Sequence, residues 1–215
     1  MALIDISPPI DATIAVWPGD TPFAQTFNAE MSAGANLTLS DVRTTLHVGA
    51  HTDAASHYVA GGEDIASRSL DYYVGLCNVV HVDVGRGERI MPRHIGGKRI
   101  DAPRVLFRTS TFPDPRNWND DFAALSPELV DALHALGVIL IGIDTPSVDP
   151  FESKALEAHH AMAKHAMANL EGVVLNGVEE GTYELIALPL RIVGGDASPV
   201  RAVLRTPVRT PVRTH

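Results

Sequence analysis

Three short apolar runs constrain the fold of this chain more than any other feature of its sequence. Residues 79–84, 105–109 and 138–143 are rich in β-branched side chains and are nearly continuous in hydrophobicity. Such runs are typical of β-strands covered on both faces, because a strand with one solvated face alternates polar and apolar residues. The sequence therefore predicts a sheet buried between other layers.

Two segments predict helices that would cover this sheet. Residues 126–136 begin with Ser126 as a helix N-cap and Pro127 at the first helical position, and Gly137 follows where the helix would end. Residues 152–169 are rich in Ala, Met, Leu and Lys, which favour helix. Strands mixed with a few helices predict an α/β fold.

The end of the chain differs from the rest. Residues 205–215 contain a four-residue repeat, Arg-Thr-Pro-Val, whose prolines exclude helix and interrupt strand pairing. We interpret residues 205–215 as a flexible tail. Residues 1–204, in which further strands are expected at 37–48 and 173–175, form a single predicted domain.

Composition narrows the class of protein. Hydrophobic residues make up 45% of the 215 residues and charged residues 20%, as in packed globular proteins. The formal charge of −9 disfavours nucleic-acid binding, which begins with neutralisation of phosphates by Lys and Arg. No apolar run approaches the roughly 20 residues of a membrane-spanning helix, and no signal-peptide pattern is present. With Cys77 as the single cysteine, we expect a cytoplasmic protein that binds neither nucleic acid nor membrane.

Histidines are concentrated in two segments, of which residues 47–57 give the stronger signal. His47, His51, Asp53 and His57 all occupy odd positions, so a continuing strand would turn them to one face. Imidazole nitrogen combined with a carboxylate is a ligand set that suits zinc and related divalent ions. The alternative is a solvated polar strand face, but four such groups within eleven residues favour a metal site.

The second segment, residues 157–172, supplies further candidate ligands. His159, His160 and His165 lie on the predicted helix, and Glu171 follows at its end. Adjacent helical residues are rotated by about 100°, so His159 and His160 do not both face one point. Spacing alone does not choose between them, and a solvent-facing helix would explain these histidines equally well.

Several motifs together resemble those of the bacterial kynurenine formamidases, which are arylformamidases of the metal-dependent cyclase-like hydrolase family. The resemblance extends over residues 1–204. The matching motifs are Trp17-Pro-Gly-Asp20, His47-x-Gly-x-His51-x-Asp53-x-x-x-His57, Gly142-Ile-Asp-Thr-Pro-Ser147, Ala158-His-His160, Leu170-Glu-Gly172, Leu188-Pro-Leu-Arg191 and Asp196-Ala-Ser-Pro-Val-Arg201.

This resemblance implies a cyclase-like swivelling β/α fold with a mixed, barrel-like sheet, a homodimer, and a site with two zinc ions. It implies five metal ligands, with Asp53 shared between the ions and His159 chosen over His160. These ligands are His47, His51, Asp53, His159 and Glu171. His57 would be the acid/base residue. Trp17 would stack on the aromatic ring of the substrate, although it could equally anchor the N-terminal segment.

The implied reaction is hydrolysis of N-formyl-L-kynurenine to L-kynurenine and formate in tryptophan degradation. Zinc lowers the pKa of bound water to about 7 and polarises a carbonyl, and a histidine can pass a proton from water to the leaving arylamine. No Gly-x-Ser-x-Gly motif points to a nucleophilic serine. Two alternatives stay open: another cyclase-like amidohydrolase acting on a different cyclic or aromatic amide, and a metal-binding module without catalysis.

Overall fold

The computed structural model describes residues 2–206, which contain thirteen strands and two α-helices. The strands are β1 Leu3–Asp5, β2 Ala24–Ala29, β3 Leu39–Arg43, β4 His51–Asp53, β5 Val74–His81, β6 Arg89–Ile90, β7 Arg104–Arg108, β8 Ala124–Leu125, β9 Leu140–Ile143, β10 Ala168–Leu170, β11 Gly181–Ile186, β12 Ala197–Pro199 and β13 Val203–Arg205. The helices are α1 Pro127–Ala135 and α2 Glu157–Lys164. Short 3₁₀ turns cover Met31–Ala33, Ala55–His57, Leu70–Tyr72 and Pro92–Ile95.

Seven strands form one mixed sheet in the order β1-β13-β11-β5-β7-β9-β10. Strands β5, β7, β9 and β10 are parallel to their neighbours in that series, whereas β1, β13 and β11 are joined to it by antiparallel pairing. The sheet curls into a half-barrel, and the domain has few helices. The predicted α/β class and mixed sheet are therefore confirmed.

Both faces of the central strands are buried, as their continuous hydrophobicity predicts. Along β7, Phe107 packs with the helices in one apolar cluster, and Leu106 belongs to the cluster on the opposite face. Along β9, Ile141 and Leu140 divide in the same way. Successive side chains of a strand point to opposite faces, so each cluster takes alternate residues.

The second helix is shorter than the sequence predicts. Helix α2 ends at Lys164, and Ala166 adopts a left-handed backbone with a φ of 50°. Residues 168–170 then pair with β9 as strand β10. Sheet hydrogen bonds thus override the helical preference of an Ala- and Met-rich sequence. The strand predicted at residues 173–175 is not formed, so that prediction is wrong.

Among the described strands, β2 and β3 pair only with each other, as an antiparallel hairpin outside the main sheet. The strand predicted at residues 37–48 is thereby shortened to Leu39–Arg43. Of the predicted tail, Arg205 is the last residue of β13, and residues 207–215 lie outside the described part of the chain. Within residues 2–206, no helix has the length and apolarity needed to cross a bilayer.

Candidate metal centre

The histidine segment reaches the centre by a bend instead of a continuous strand. Gly49 has a φ of 62°, which ends any extended run, and β4 covers only His51–Asp53. His57 lies in the 3₁₀ turn Ala55–His57. The expected alternation over residues 47–57 is therefore wrong. The bend nevertheless folds His47 back beside His51, with 5.1 Å between the ring centroids.

Two glycines allow this bend to pack against the other ligand-bearing segment. A Cβ atom at Gly172 would lie 2.3 Å from the carbonyl oxygen of Gly49, closer than real Cβ contacts come. Gly172 also has a φ of 66°, a conformation that glycine adopts without steric cost. A side chain at position 172 would therefore separate the segments that carry His51 and Glu171.

Backbone pairing fixes the positions of the buried ligand candidates. His51 and Glu171 exchange two backbone hydrogen bonds of 3.1 and 2.9 Å, which form an isolated bridge. On its other side, β4 pairs with β12, with Asp53 opposite Ala197. His159 enters from α2. Three separate parts of the chain therefore meet at one point.

Asp53 lies at the middle of the resulting cluster. Its Oδ1 atom is 2.9 Å from His47 Nδ1, and its Oδ2 atom is 3.3 Å from His159 Nε2. Glu171 lies beside it, with Oε2 3.1 Å from His51 Nε2 and Oε1 3.4 Å from His159 Nε2. Two groups of ligand atoms, each within 4.8 Å, share the Asp53 side chain: His47, His51 and Asp53 form one, and Asp53, His159 and Glu171 form the other.

Each of the three histidines has its second nitrogen tied to an oxygen. The Nδ1 atom of His51 is 3.0 Å from the Gly49 carbonyl, and the Nδ1 atom of His159 is 2.8 Å from Asp149 Oδ2. His47 Nε2 lies 3.1 Å from Asp196 Oδ2. These partners accept hydrogen bonds, so in each ring, when it is neutral, the lone pair is on the nitrogen that faces Asp53 or Glu171. Protein metal ligands are held in this way by outer hydrogen bonds.

Opposite charges inside the cluster move the pKa values of its members apart. Burial alone would raise the pKa of Asp53, but the close contacts of its carboxylate with the His159 and His47 rings hold that pKa well below its usual range. Burial likewise opposes charge on His47, yet Asp53 and Asp196 raise its pKa to about 9. In the same way, Asp149, Asp53 and Glu171 outweigh burial and raise the pKa of His159 well above its usual value. The site is therefore built around anionic carboxylates that require positive charge.

The donor set fits a divalent metal. Asp53 and Glu171 are each only 2% exposed, and burying two adjacent carboxylates is costly without compensating cations. The Oδ1 atom of Asp53 has no hydrogen-bond partner among the described residues, although it lies close to two histidine rings. A buried oxygen left free beside imidazole nitrogens matches the nitrogen and oxygen ligands of zinc.

The other predicted residues take different positions. His159 is buried in the cluster and belongs to one of its groups of potential ligand atoms, whereas His160 is exposed and belongs to none of those found among the described residues. His57 lies at the rim, with its side chain 34% exposed and Nδ1 3.3 Å from Asp196 Oδ2. His47, His57 and Asp196 also form a third group of potential ligand atoms within 4.8 Å. The roles assigned to these residues stay predictions.

A cavity of about 420 Å³ opens onto the cluster, a size suited to a small molecule. Aromatic side chains from distant loops form its far wall. Trp17 contacts Trp118 with ring centroids 5.3 Å apart and Phe151 with centroids 5.0 Å apart, and Phe112 extends the wall beside Trp118. Trp17 therefore both lines the cavity and packs against neighbouring rings, and its stacking on a substrate stays a prediction.

Sequence reasoning missed several residues of the site. Asp149 and Asp196 hold the histidines His159 and His47, and Asn169 donates to Asp53 Oδ2 at 2.6 Å. Trp118 was likewise absent from the predicted cavity residues. Asp196 begins the motif Asp196-Ala-Ser-Pro-Val-Arg201, and Asp149 follows the strand that ends at Ile143, a common place for site residues.

Comparison with known proteins agrees with this geometry. The family model named Cyclase matches residues 4–150. Kynurenine formamidases of Bordetella pertussis and Bordetella bronchiseptica are each 46% identical over 204 residues, covering 94% of this chain and 97% of theirs. The chain therefore belongs to the cyclase family of metal-dependent hydrolases. These two relatives, which the chain matches over nearly their whole length, are kynurenine formamidases.

Solved structures show the same fold. A protein described as a potential metal-dependent hydrolase with cyclase activity superposes with a TM-score of 0.83 and 25% identity, covering 96% of this chain and 99% of the other. Isatin hydrolase A of Labrenzia aggregata gives a TM-score of 0.82 at 21% identity, covering 96% and 94%. The likeness to isatin hydrolase concerns the fold alone.

Proposed function

We propose that this chain is a zinc-dependent kynurenine formamidase, which hydrolyses N-formyl-L-kynurenine to L-kynurenine and formate. The observation that carries the proposal is the identity of 46% with kynurenine formamidases over 94% of the chain. The buried cluster of histidines and carboxylates beside an aromatic-walled cavity supports it independently. The cavity combines a polar end with an apolar aromatic wall, as an aryl formamide requires.

We propose five metal ligands and two zinc ions. His47, His51 and Asp53 would hold one ion, and Asp53, His159 and Glu171 would hold the other. The central place of Asp53, with one oxygen toward each group, supports a shared carboxylate. When bound, such ions lower the pKa of a water molecule and polarise the carbonyl of the substrate.

The chain's own residues would bind the aryl ring and move protons. Trp17 and Trp118 offer ring faces and edges to an aromatic substrate. His57, at the rim of the cluster, would take a proton from the attacking water and give it to the arylamine nitrogen as the C–N bond breaks. The water oxygen leaves in formate, so His57 ends in its starting state.

We also propose that the protein is a cytoplasmic homodimer. Large apolar side chains on the β2–β3 hairpin are exposed, among them Phe27, Leu39 and Val42, and this supports an interface on the hairpin. The buried thiol of Cys77 is compatible with a reducing compartment. Light scattering on the purified chain tests the dimer, and cell fractionation tests the location.

Formate release from N-formyl-L-kynurenine tests the proposed reaction. Metal-stripped protein should be inactive, and added zinc should restore turnover. Turnover that does not depend on metal would contradict the proposal. A panel of cyclic and aromatic amides provides the control for substrate class, since faster hydrolysis of a different amide would assign the site to that reaction.

His57 variants separate a catalytic role from a ligand role. We expect His57→Gln to retain zinc and to lower kcat by roughly 10²- to 10⁴-fold, the usual contribution of general acid–base catalysis. Loss of one zinc per chain, measured by elemental analysis, would instead make His57 a ligand. His160→Gln is the matched control, because His160 is exposed beside the buried ligand candidate His159.

A further inference from the structure

Asp196 lies at the rim of the cluster and is held there by the backbone on both sides. Its carbonyl oxygen accepts a 2.8 Å hydrogen bond from the amide of Ala54, which directly follows β4. The carbonyl of Gly195 accepts another, 2.9 Å long, from Ile65. The β12–β4 pairing begins at the next residue. The position of Asp196 is therefore fixed relative to the strand that carries Asp53.

One oxygen of this carboxylate serves two histidine rings. Asp196 Oδ2 is 3.1 Å from His47 Nε2 and 3.3 Å from His57 Nδ1, and the two ring centroids are 4.3 Å apart. An ionised carboxylate only accepts hydrogen bonds, so both of these nitrogens must carry a hydrogen atom. In a neutral ring, the lone pair is then left on His57 Nε2 and on His47 Nδ1.

The consequence for His47 agrees with the cluster. The Nδ1 atom that would carry its lone pair is the one that lies 2.9 Å from Asp53 Oδ1. A ring with its hydrogen on Nδ1 would instead present a donor where a ligand atom is needed. Asp196 thus selects the form of His47 that suits metal binding.

We propose that Asp196 is a positioning residue and that one of its carboxylate oxygens, Oδ2, sets the tautomer of both His57 and His47. The proposal rests on the proposed function, in which His57 transfers protons. With its hydrogen on Nδ1, His57 has Nε2 as its only basic nitrogen. Asp196 also faces the positive charge that the ring acquires between taking a proton from water and giving it to the arylamine.

Two other interpretations make different demands on the same contacts. Asp196 could hold the loop at residues 192–196 without influencing the rings. It could also be a metal ligand, since His47, His57 and Asp196 offer atoms within 4.8 Å of one another. The experiment must therefore separate ring positioning from loop stability and from metal stoichiometry.

Variants at position 196 provide the test. Asp196→Ala removes the acceptor, Asp196→Asn keeps an oxygen without the charge, and Asp196→Glu keeps both. Asp64→Asn is the matched control, because Asp64 Oδ2 accepts a 2.6 Å hydrogen bond from Gly194 in the same loop but contacts neither ring. Circular dichroism and thermal unfolding establish that each variant is folded.

Kinetics on the zinc-loaded variants should show a selective loss. We expect Asp196→Ala to lower kcat by about 10²-fold while KM stays near that of the unaltered enzyme. Asp196→Glu should recover part of kcat, and Asp64→Asn should retain it. Formanilides whose amines leave more easily should narrow the defect, because they need less protonation at nitrogen. An equal loss in Asp64→Asn would overturn the proposal in favour of a loop role.

Metal analysis and NMR supply readouts that do not depend on turnover. Zinc affinity of Asp196→Ala should fall roughly 10- to 100-fold, as for outer partners of ligands, with full occupancy at saturating zinc. Loss of one zinc per chain at saturation would make Asp196 a ligand and overturn the proposal. In ¹⁵N-histidine spectra, the His57 signal, assigned with His57→Gln, should show the hydrogen on Nδ1 and lose that preference in Asp196→Ala.

These readouts also distinguish the two proposals. If the chain does not hydrolyse N-formyl-L-kynurenine but His57 keeps the expected tautomer through Asp196, the proposed function fails and the positioning of His57 stands. If the chain is active and the tautomer is unaffected by Asp196→Ala, the positioning role fails alone.

Discussion

The cavity has two walls that are built in different ways. The metal wall consists of His47, His51, Asp53, His159 and Glu171. Most of these residues are buried, and they are held either by backbone pairing or by hydrogen bonds from their rings to neighbouring oxygen atoms. The aromatic wall consists of Trp17, Phe112 and Trp118, which are half-buried and touch through ring contacts, and Phe151 packs against Trp17 without lining the cavity.

This difference in construction implies a division of work. Ligand atoms must hold their geometry closely, and paired backbone with directional hydrogen bonds supplies that rigidity. Aromatic rings tolerate several offset and edge-on arrangements at similar energy. We therefore expect changes in the metal wall to act on kcat and metal content, and changes in the aromatic wall to act on KM.

The largest effect is expected at the centre of the metal wall. Asp53→Asn preserves volume but removes the charge shared by the two ligand groups, so zinc content should fall. The turnover rate should fall on the order of 10³-fold or more, because a Lewis-acid metal contributes several kcal/mol to catalysis. Formate release and elemental analysis measure both. Asp83→Asn, at an exposed carboxylate that does not line the cavity, is the control, and a fully loaded, active Asp53→Asn enzyme would contradict this division of work.

A smaller effect is expected one contact further out. Asp149 accepts hydrogen bonds from the backbone amides of Ala158 and His159, as well as facing His159 Nδ1. Asp149→Asn should reduce zinc affinity by roughly 10- to 100-fold. Competition with a chelator measures this affinity. Unchanged affinity would mean that helix α2 alone orients His159.

The aromatic wall should respond in KM instead. Trp118→Ala removes a ring that lines the cavity and packs against Trp17 and Phe112, and a lost aromatic pair with the substrate ring would cost about 0.5–1.5 kcal/mol of binding. We expect KM for N-formyl-L-kynurenine to rise roughly 2- to 12-fold with little change in kcat or zinc content. The KM of Trp118→Phe, which keeps a ring, should lie between that of the unaltered enzyme and that of Trp118→Ala. A large loss of kcat in Trp118→Ala would show that the two walls are coupled.

The smallest signal concerns protons released by metal binding. In the metal-free protein, the pKa of His47 is raised to about 9, so its ring is protonated at pH 7 and must lose that proton to act as a ligand. Zinc affinity should therefore rise with pH until the ring is neutral, and His47 should contribute about one released proton at pH 7 and less above pH 9. Calorimetry in buffers of different ionisation enthalpy counts these protons. Equal proton release at pH 7 and above pH 9 would show that His47 does not contribute a released proton.

The same contrast explains how much of the site could be predicted from sequence. The metal wall was visible because His47, His51 and Asp53 lie within seven positions and carry unusual chemistry. The predicted alternation along a continuous strand is wrong as the reason why these residues meet, because Gly49 bends the chain. Grouping was thus predictable from residue type, whereas geometry required the backbone.

The aromatic wall and the outer partners could not be found in the same way. Trp118 and Phe151 belong to separate loops, and loop positions follow no period that would relate them to Trp17. Asp196 meets His57 across 139 positions of sequence. The fold class was more accessible, because the buried strands β7 and β9 show their two covered faces directly in their hydrophobicity.

The shared position of Asp53 has a consequence for the chain as a polymer. Asp53 and His159 are separated by 106 residues, and Glu171 lies further still along the sequence. A metal ion held by these side chains would act as a reversible cross-link that closes a long loop, and such closures restrict the unfolded chain. It would also bind the folded state in preference to the unfolded one. Scarcity of metal would then reduce the amount of intact protein in a cell, as well as the activity of each molecule.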